Sequence, residues 1–282
     1  MKLVRFGPRG REKPGIVDVN GGIRDASGVV EDITPATIAA GALAQLKRVK
    51  PDALPPVRKG ARLGPPVGGV RQFLGIGLNY ADHAAETGAQ VPKEPIVFSK
   101  HPSCIVGPND DVTIPKDSQK TDWEVELAFV IGRGGAYIEE SDALAHVAGY
   151  MICNDVSERS YQYDRGGQWI KGKSSPGFGP LGPWLVTRDE IKDPQNLDLT
   201  LDIDGKRAQT GNTRTMIFSV ARLVAHLSLF MALEPGDVIT TGTPPGVGAG
   251  RKPPSFLKGG ETMRLTVAGL GEQTQKVVRY QG

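Results

Sequence analysis

The chain has 282 residues, 39% of them hydrophobic and 23% charged, and a formal net charge of +3 at pH 7. This composition is typical of a globular protein, and it contains neither a basic cluster that would indicate nucleic-acid binding nor a run approaching the roughly 20 apolar residues of a membrane span. Because the N-terminus, MKLVRFGPRG, also lacks the apolar run of a signal peptide, we expect a cytoplasmic protein that buries roughly three quarters of its unfolded surface.

The first 70 residues are predicted to form a small N-terminal α/β domain or arm. Strand candidates are Lys2 to Phe6 and Gly15 to Val19, and a helix candidate lies near Thr37 to Val49. A linker rich in proline and glycine, PPVRKGARLGPPVGG, follows them. We therefore place a domain boundary at about residue 70, with residues 71–282 as the second domain.

From Phe73 onward, short apolar runs separated by turns predict a mainly β, α+β body. The runs are FLGIGL, PIVFSK, VTIPK, WEVELAFVI, AGYMICND, LDLTLDIDG, DVITTG and MRLTVAGLG. Helix candidates are fewer, chiefly Ser141 to His146 and Ser219 to Met231. Strands without regular alternation with helices argue against doubly wound and TIM-barrel folds. The two cysteines, Cys104 and Cys153, have apolar neighbours and are expected to be buried thiols.

Two carboxylates interrupt the apolar run from Trp123 to Ile131. In a strand, Glu124 and Glu126 share one face, while the apolar residues of the run share the other. Two like charges on one face repel each other, and oxygen ligands on a rigid strand suit Mg²⁺ or Mn²⁺. A solvated strand face is the simpler alternative, so the metal hypothesis depends on further partners.

The run Ala148 to Cys153 supplies such a partner, because Asp155 follows it at a strand end and would add a third oxygen ligand. Arg159 and Gln162 come just beyond, and Lys173 lies in the glycine-rich stretch QWIKGKSSPGFGPLGP. A cation and an amide there could approach a bound anion. Each of these residues has an alternative as a cap, a turn residue or a solvated side chain.

Two loops carry further candidates. In GDVITTGTPPGVGAG, backbone N–H groups and the Thr243 hydroxyl could hold a carboxylate or enolate oxygen. The segment is not a Walker P-loop, because no Gly-Lys-Ser/Thr follows. In GLNYADHAAETG, a short helix from Tyr80 to Thr87 would place His83 and Glu86 on one side, where the carboxylate can orient the imidazole. Flanking glycines would allow this segment to act as a lid; an exposed helix with an ion pair is the alternative.

Five motifs in this order resemble the fumarylacetoacetate hydrolase family over about Phe73 to the C-terminus. They are NYADHxxE (Asn79 to Glu86), WEVELAFVIG (Trp123 to Gly132), ICNDVSER (Ile152 to Arg159), WIKGKS (Trp169 to Ser174) and ITTGTPPGVG (Ile239 to Gly248). The resemblance implies a mixed β-sandwich roll as the catalytic body, a small N-terminal domain, Mg²⁺ or Mn²⁺ as cofactor, and a homodimer.

The same resemblance implies roles for nine residues. It makes Glu124, Glu126 and Asp155 the metal ligands, His83, Glu86 and Lys173 the catalytic residues, and Arg159, Gln162 and Thr243 the substrate contacts. None of these positions is substituted in this chain, so we expect an active enzyme rather than a non-catalytic metal-dependent binding protein.

The implied chemistry is hydrolysis of a C–C bond in a 2,4-diketo acid, with release of pyruvate. Stretches such as Gly167 to Glu190 and Lys252 to Glu261 are similar to a bacterial branch that includes hydrolases of 2,4-diketo-3-deoxy-L-fuconate and L-rhamnonate derivatives. We favour such a sugar acid, and expect a pocket supplied with Arg, Gln, Ser and Thr rather than aromatic residues. Oxaloacetate decarboxylase, another acylpyruvase, enol-keto isomerase and ureidoglycolate lyase remain alternatives.

Overall fold

The computed structural model describes residues 1–281, apart from the side chain of Thr87. Its strands are β1 (Lys2–Phe6), β2 (Lys13–Val17), β3 (Ile23–Asp25), β4 (Leu63–Gly64), β5 (Phe73–Gly77), β6 (Ile96–Lys100), β7 (Ile105–Val106), β8 (Val112–Ile114), β9 (Thr121–Asp122), β10 (Val125–Ile131), β11 (Val147–Asn154), β12 (Ser157–Glu158), β13 (Gly179–Thr187), β14 (Asp198–Ile203), β15 (Lys206–Asn212), β16 (Val238–Thr240), β17 (Thr262–Val267) and β18 (Gly271–Arg279). The helices are α1 (Pro35–Ala39), α2 (Ala42–Lys47), α3 (Ala81–Thr87), α4 (Arg159–Tyr163), α5 (Ile170–Lys173) and α6 (Val220–Phe230).

A large mixed sheet forms the centre of the molecule. Over the described residues its strand order is β3-β2-β1-β13-β11-β10-β16-β5-β6, with β4 beside β1 and β7 beside β13. A second sheet, in the order β15-β14-β17-β18-β8, packs on β10, β11 and β13. Side chains of β10 and β11 are buried on both faces, as expected for strands in the middle of two packed layers. The predicted mainly β, α+β sandwich is confirmed.

The strands of the first 70 residues continue the large sheet, because β1 pairs antiparallel with β13, with Lys2 opposite Val186. The boundary at residue 70 stays a prediction. Within this region the single helix expected near Thr37 to Val49 is wrong: the chain forms α1 and α2 instead. Gly41 separates them with a φ of +86°, a left-handed conformation that ends one helix before the next begins.

Most elements expected in the second part of the chain are present. α6 matches the apolar period from Ser219 to Met231, and Ser219 caps it by accepting a hydrogen bond from the Arg222 N–H. The candidate at Ser141 to His146 is instead a 3₁₀ turn over Ala143–His146. The lid candidate expected over Tyr80 to Thr87 forms α3, which begins one residue later, at Ala81, with Tyr80 at the N-cap.

The two longest strands, β13 and β18, escaped prediction for different reasons, and the seven-residue β15 was also missed. The glycine and proline residues of β13 interrupt the apolar pattern that predicts a strand, yet β13 pairs with both β1 and β11 in the large sheet. β18 alternates buried and exposed residues, but its inward positions include glutamines rather than apolar residues. Gln273 donates to the Ile152 and Gly182 carbonyls, both at 3.0 Å, so an amide fixes the spacing between the two sheets.

None of the helices within residues 1–281 is long and apolar enough to cross a membrane.

Candidate active site

Three carboxylates meet where β10 begins and β11 ends. The two strands are antiparallel neighbours with Val125 opposite Asn154, so Glu124 and Asp155, each one residue outside its strand, lie side by side. The Asp155 N–H donates to the Glu124 carbonyl at 2.9 Å and fixes that register. One oxygen from each of Glu124, Glu126 and Asp155 lies within 4.8 Å of the others. The solvated-face alternative is therefore wrong, since all three side chains are buried.

Buried cations cross-link two of these carboxylates. The Lys173 ammonium donates to Glu124 Oε2 and to Asp155 Oδ2, both at 2.7 Å. Lys100, which is completely buried, donates to Asp155 Oδ1 at 2.6 Å. Arg159 donates to Glu124 Oε1 at 2.6 Å. We call these three carboxylates and three cations the floor of the site.

The pKa values of the two glutamates of the floor are shifted in opposite directions. Burial acts to raise the pKa of Glu124, but the charges of Lys173 and Arg159 outweigh burial and hold that pKa at about 2. Glu126 accepts hydrogen bonds from the Thr240 hydroxyl and the Gly242 N–H instead of from a cation. Burial, together with the charges of Asp155 and Glu124, raises the pKa of Glu126 well above its usual range.

This arrangement fits a divalent cation. Oxygen-only donors converge from three buried carboxylates, which is the ligand type that Mg²⁺ and Mn²⁺ prefer. Burial is the main cause of the raised pKa of Glu126, and repulsion by Asp155 and Glu124 adds to it; positive charge placed among the three groups would relieve that repulsion. Glu124, Glu126 and Asp155 are the residues that would hold the ion, and the geometry does not distinguish between the two metals.

Arg159 and Gln162 begin the next wall, on α4. The Arg159 guanidinium donates from Nη1 to Gln162 Oε1 at 3.0 Å and from Nε to Asp122 Oδ2 at 2.8 Å. α5 lies against α4 at Gly172, where a Cβ atom would come within 2.6 Å of the Gln162 Cβ. This close approach brings Lys173 and Gln162 to the same cavity.

Thr243 also lines the cavity, on the loop after β16, but its hydroxyl already has two partners. It donates to the Val125 carbonyl at 2.9 Å and accepts from the Gln209 amide at 2.8 Å. The structure thus gives Thr243 a role in joining this loop to β10, while its contact with substrate stays a prediction.

The lid candidate, α3, lies over the same cavity. His83 Nδ1 and Glu86 Oε2 are 3.0 Å apart, so the carboxylate can accept the Nδ1 proton and orient the ring. Glu86 also accepts from the Gly246 N–H, at 3.1 Å to Oε1 and 3.2 Å to Oε2. Its carboxylate therefore joins α3 to the loop after β16.

The cavity bounded by floor and lid has a volume of about 290 Å³. Eight of the nine predicted site residues line it, and Glu86 stands behind His83. Its outer wall is aromatic, however, with Phe98, Tyr163 and Trp169 among the lining residues. The expectation of a pocket without aromatic residues was wrong. Phe98 comes from β6, far from the polar motifs, whereas Tyr163 directly follows Gln162 on α4 and Trp169 opens the WIKGKS motif that contains Lys173.

Three residues that hold the site were missed in the sequence. They are Lys100, Asp122 and Thr240. Asp122 is fully buried and accepts from Arg159 and from the Gly248 and Ala249 N–H groups, which ties the floor to the loop beneath the lid. A charge after an apolar run, the signal used for Asp155, was also present at Lys100.

Residues 72–278 match the family model described as "Fumarylacetoacetate (FAA) hydrolase C-terminal". The chain belongs to the fumarylacetoacetate hydrolase family. It is 61% identical, over 98% of both chains, to a Burkholderia ambifaria protein named "Putative hydrolase".

Solved structures of this family show the same fold. A fumarylacetoacetate hydrolase from Exiguobacterium antarcticum is 35% identical, covers 99% of this chain and 100% of its own, and has a TM-score of 0.87. A maleylpyruvate hydrolase from Sphingobium sp. SYK-6, in complex with manganese(II) and pyruvate, is 26% identical over 100% of both chains, with a TM-score of 0.81. In this chain, the acidic triad offers three convergent carboxylate oxygens that fit a divalent metal.

Proposed function

We propose that the protein is a Mg²⁺- or Mn²⁺-dependent hydrolase that cleaves a C–C bond of a 2,4-diketo acid and releases pyruvate. One observation carries the proposal: a histidine oriented by a carboxylate, His83 with Glu86, lies at the same cavity as three convergent buried carboxylates. The first group suits removal of a proton from water, and the second suits a cation that stabilises an enolate. The similar maleylpyruvate hydrolase structure contains manganese(II) and pyruvate, which supports both the metal and the product proposed here.

The charge of the floor supports an anionic substrate. With Asp122 included, four carboxylates face three cations, so the fully ionised group carries one net negative charge. A divalent cation would change this to one net positive charge. A 2-oxo carboxylate would then be attracted into the site, and the low dielectric of a buried floor would strengthen that attraction.

A bound Mg²⁺ or Mn²⁺ would polarise the 2-oxo group and stabilise the negative charge that develops there during cleavage. Lys173, held 2.7 Å from two floor carboxylates, keeps a second positive charge close to that position. Burial acts to lower the pKa of Lys173, but Asp155 and Glu124 outweigh it and raise the pKa, so this lysine acts as a cation rather than as a base.

His83 supplies the base. With the proton on Nδ1 directed to Glu86, the basic lone pair is on Nε2, which takes a proton from water as the oxygen attacks the C4 carbonyl. The tetrahedral adduct collapses, the C3–C4 bond breaks, and its electron pair moves to C3 as the enolate of pyruvate. C3 then takes up a proton, so one water molecule and one diketo acid give one carboxylic acid and one pyruvate.

We propose 2,4-diketo-3-deoxy-L-fuconate or L-rhamnonate as the first substrates to test. Their acyl part is a lactoyl group, which ends in a methyl, and it would leave as lactate. A short tail of this kind suits a cavity of about 290 Å³ whose outer wall contains Phe98 and Trp169.

The test is a pyruvate-release assay on these acids and on oxaloacetate, with and without chelator. We expect chelator-sensitive release of pyruvate and lactate, and loss of both in His83→Ala. Turnover of oxaloacetate alone, or turnover that the chelator leaves intact, would contradict the proposal. A decarboxylase or isomerase of the same family would keep much of its activity in His83→Ala, because no water is activated.

We also propose that the protein acts as a homodimer on small-molecule substrates. Light scattering of the purified protein tests this, and a monomer at micromolar concentration would contradict it.

A further inference from the structure

The floor and the outer wall of the cavity have opposite chemistry. The positive side chains among the described lining residues, Arg159 and Lys173, both lie at the floor. Each already donates hydrogen bonds there. Arg159 donates to Asp122, Glu124 and Gln162. Lys173 donates to Glu124 and Asp155. Together with a bound divalent cation they suit the carboxylate and 2-oxo end of a substrate, so the other end must lie along the wall.

That wall is a packed aromatic surface. The rings of Phe98 and Trp169 have centroids 5.4 Å apart, and Tyr163 meets Trp169 edge-on at 6.2 Å. Two glycines of β5 make room for the rings: a Cβ atom would lie 2.2 Å from Phe98 at Gly75 and 2.5 Å from Trp169 at Gly77. Because the rings lie directly on the strand, they present a fixed apolar surface to the cavity.

The cations near the wall are already engaged and do not favour a second anion. The Lys173 ammonium lies 5.1 Å from the Phe98 ring centroid but is paired with Glu124 and Asp155, and Arg165 stacks on the Tyr161 ring at 4.9 Å.

Arg251, which follows the lining residue Gly250, stacks on the Trp123 ring at 5.0 Å, and Trp123 is absent from the described residues that line the cavity. The lid adds negative charge through Asp82 and Glu86. A carboxylate at the far end of a substrate would lose water against the rings and gain no dedicated cation.

We infer that the site selects 2,4-diketo acids with a single carboxylate and a short, uncharged acyl tail, and discriminates against those whose tail ends in a second carboxylate. The inference rests on the proposed function and deepens it. It separates this chain from a maleylpyruvate hydrolase, whose named substrate carries two carboxylates. The lactoyl tail proposed above belongs to the selected class.

Butanoylpyruvate and succinylpyruvate form a matched pair for the test, because their tails differ mainly in whether the end is a methyl or a carboxylate. With the metal-loaded enzyme at low salt we expect kcat/KM to be about 100-fold higher for butanoylpyruvate. A new cation at the wall should reduce this ratio. Tyr163 is suitable because it is 55% exposed, so Tyr163→Arg is expected to fold, and Tyr163→Phe is the matched control.

We expect Tyr163→Arg to shrink the ratio at least about tenfold and Tyr163→Phe to leave it within about twofold. Equal kcat/KM for the two acids in the natural protein, or a ratio that Tyr163→Arg leaves unchanged, would overturn the inference. Affinities of metal-loaded His83→Ala for the two acids, measured by quenching of tryptophan fluorescence, test the selectivity of binding separately from turnover. Selective binding without pyruvate release would contradict the proposed hydrolysis and support the selectivity. Equal turnover of both acids would contradict the selectivity and support the hydrolysis.

Discussion

The floor and the lid of the cavity are built in opposite ways. The floor consists of buried carboxylates at the ends of β10 and β11 and buried cations from β6, α4 and α5. Each is tied to a neighbour of opposite charge or to a backbone N–H. The lid is a seven-residue helix, α3, joined to the loop after β16 through Glu86. Charge buried in a sheet is costly to disturb, whereas a short helix at the surface can move. The metal site should thus be rigid and contribute to the stability of the fold, whereas loss of the base on the lid should leave metal binding and stability intact.

Asp155→Asn should give the largest effect. It removes one candidate metal oxygen and the shared counter-charge of Lys100 and Lys173, so we expect kcat/KM to fall by at least about a thousandfold and the free energy of unfolding by about 3–5 kcal/mol. Pyruvate release, Mn²⁺ titration calorimetry and denaturant unfolding measure these changes.

The control for this variant is Asp189→Asn, which breaks the exposed ion pair with Lys47. There we expect a loss of about 0–1 kcal/mol and unchanged activity. If Asp155→Asn unfolded no more easily than this control, the floor would not be the structural unit described here.

His83→Ala should separate the lid from the floor. Loss of the base is expected to lower kcat by about 10²–10⁴-fold, while Mn²⁺ affinity stays within about twofold of the natural protein. Asp82→Asn, on the exposed part of the same helix, is the matched control and should keep its activity. Weakened Mn²⁺ binding in His83→Ala would show that lid and floor are one unit.

Glu86→Gln should have a smaller effect, about 10–100-fold on kcat, because the amide oxygen can still accept from Gly246 but no longer carries the charge that polarises His83. If the two residues act as a pair, the double variant with His83→Ala should be no slower than His83→Ala alone. Additive losses in steady-state kinetics would argue for separate roles.

The smallest effect should be the pH dependence of the metal-free floor. The pKa of Glu124, held at about 2 in the folded protein, lies below its unfolded value of about 4.5, so its contribution to stability is present above about pH 4.5 and is lost as the pH falls toward 2. The stability difference between the natural protein and Glu124→Gln, measured by denaturant unfolding with chelator, should shrink as the pH falls from about 4.5 toward 2. A difference that grows in acid would contradict the ion-pair account.

The contrast between floor and lid also explains which residues the sequence revealed. Glu124, Glu126 and Asp155 stand out because a charge within or after an apolar run is rare without a reason. His83 and Glu86 follow from helical spacing, which the formation of α3 bears out. Lys100 carried the same signal as Asp155, a charge after an apolar run. The two residues are 55 positions apart, and only the pairing of strands shows their contact.

The sequence by itself determined the mainly β class, the acidic residues of the floor and the spacing of the lid pair, because these depend on local alternation and on motifs within a few residues. The tertiary structure decided the rest. It showed that β1 extends the central sheet through β13. It also showed that Asp122 connects Arg159 to the loop beneath the lid. Finally, it brought Phe98, Tyr163 and Trp169 together as one aromatic wall. These features join segments far apart in the chain, and their energies come from burial and charge pairing that exist only after the sheets have packed.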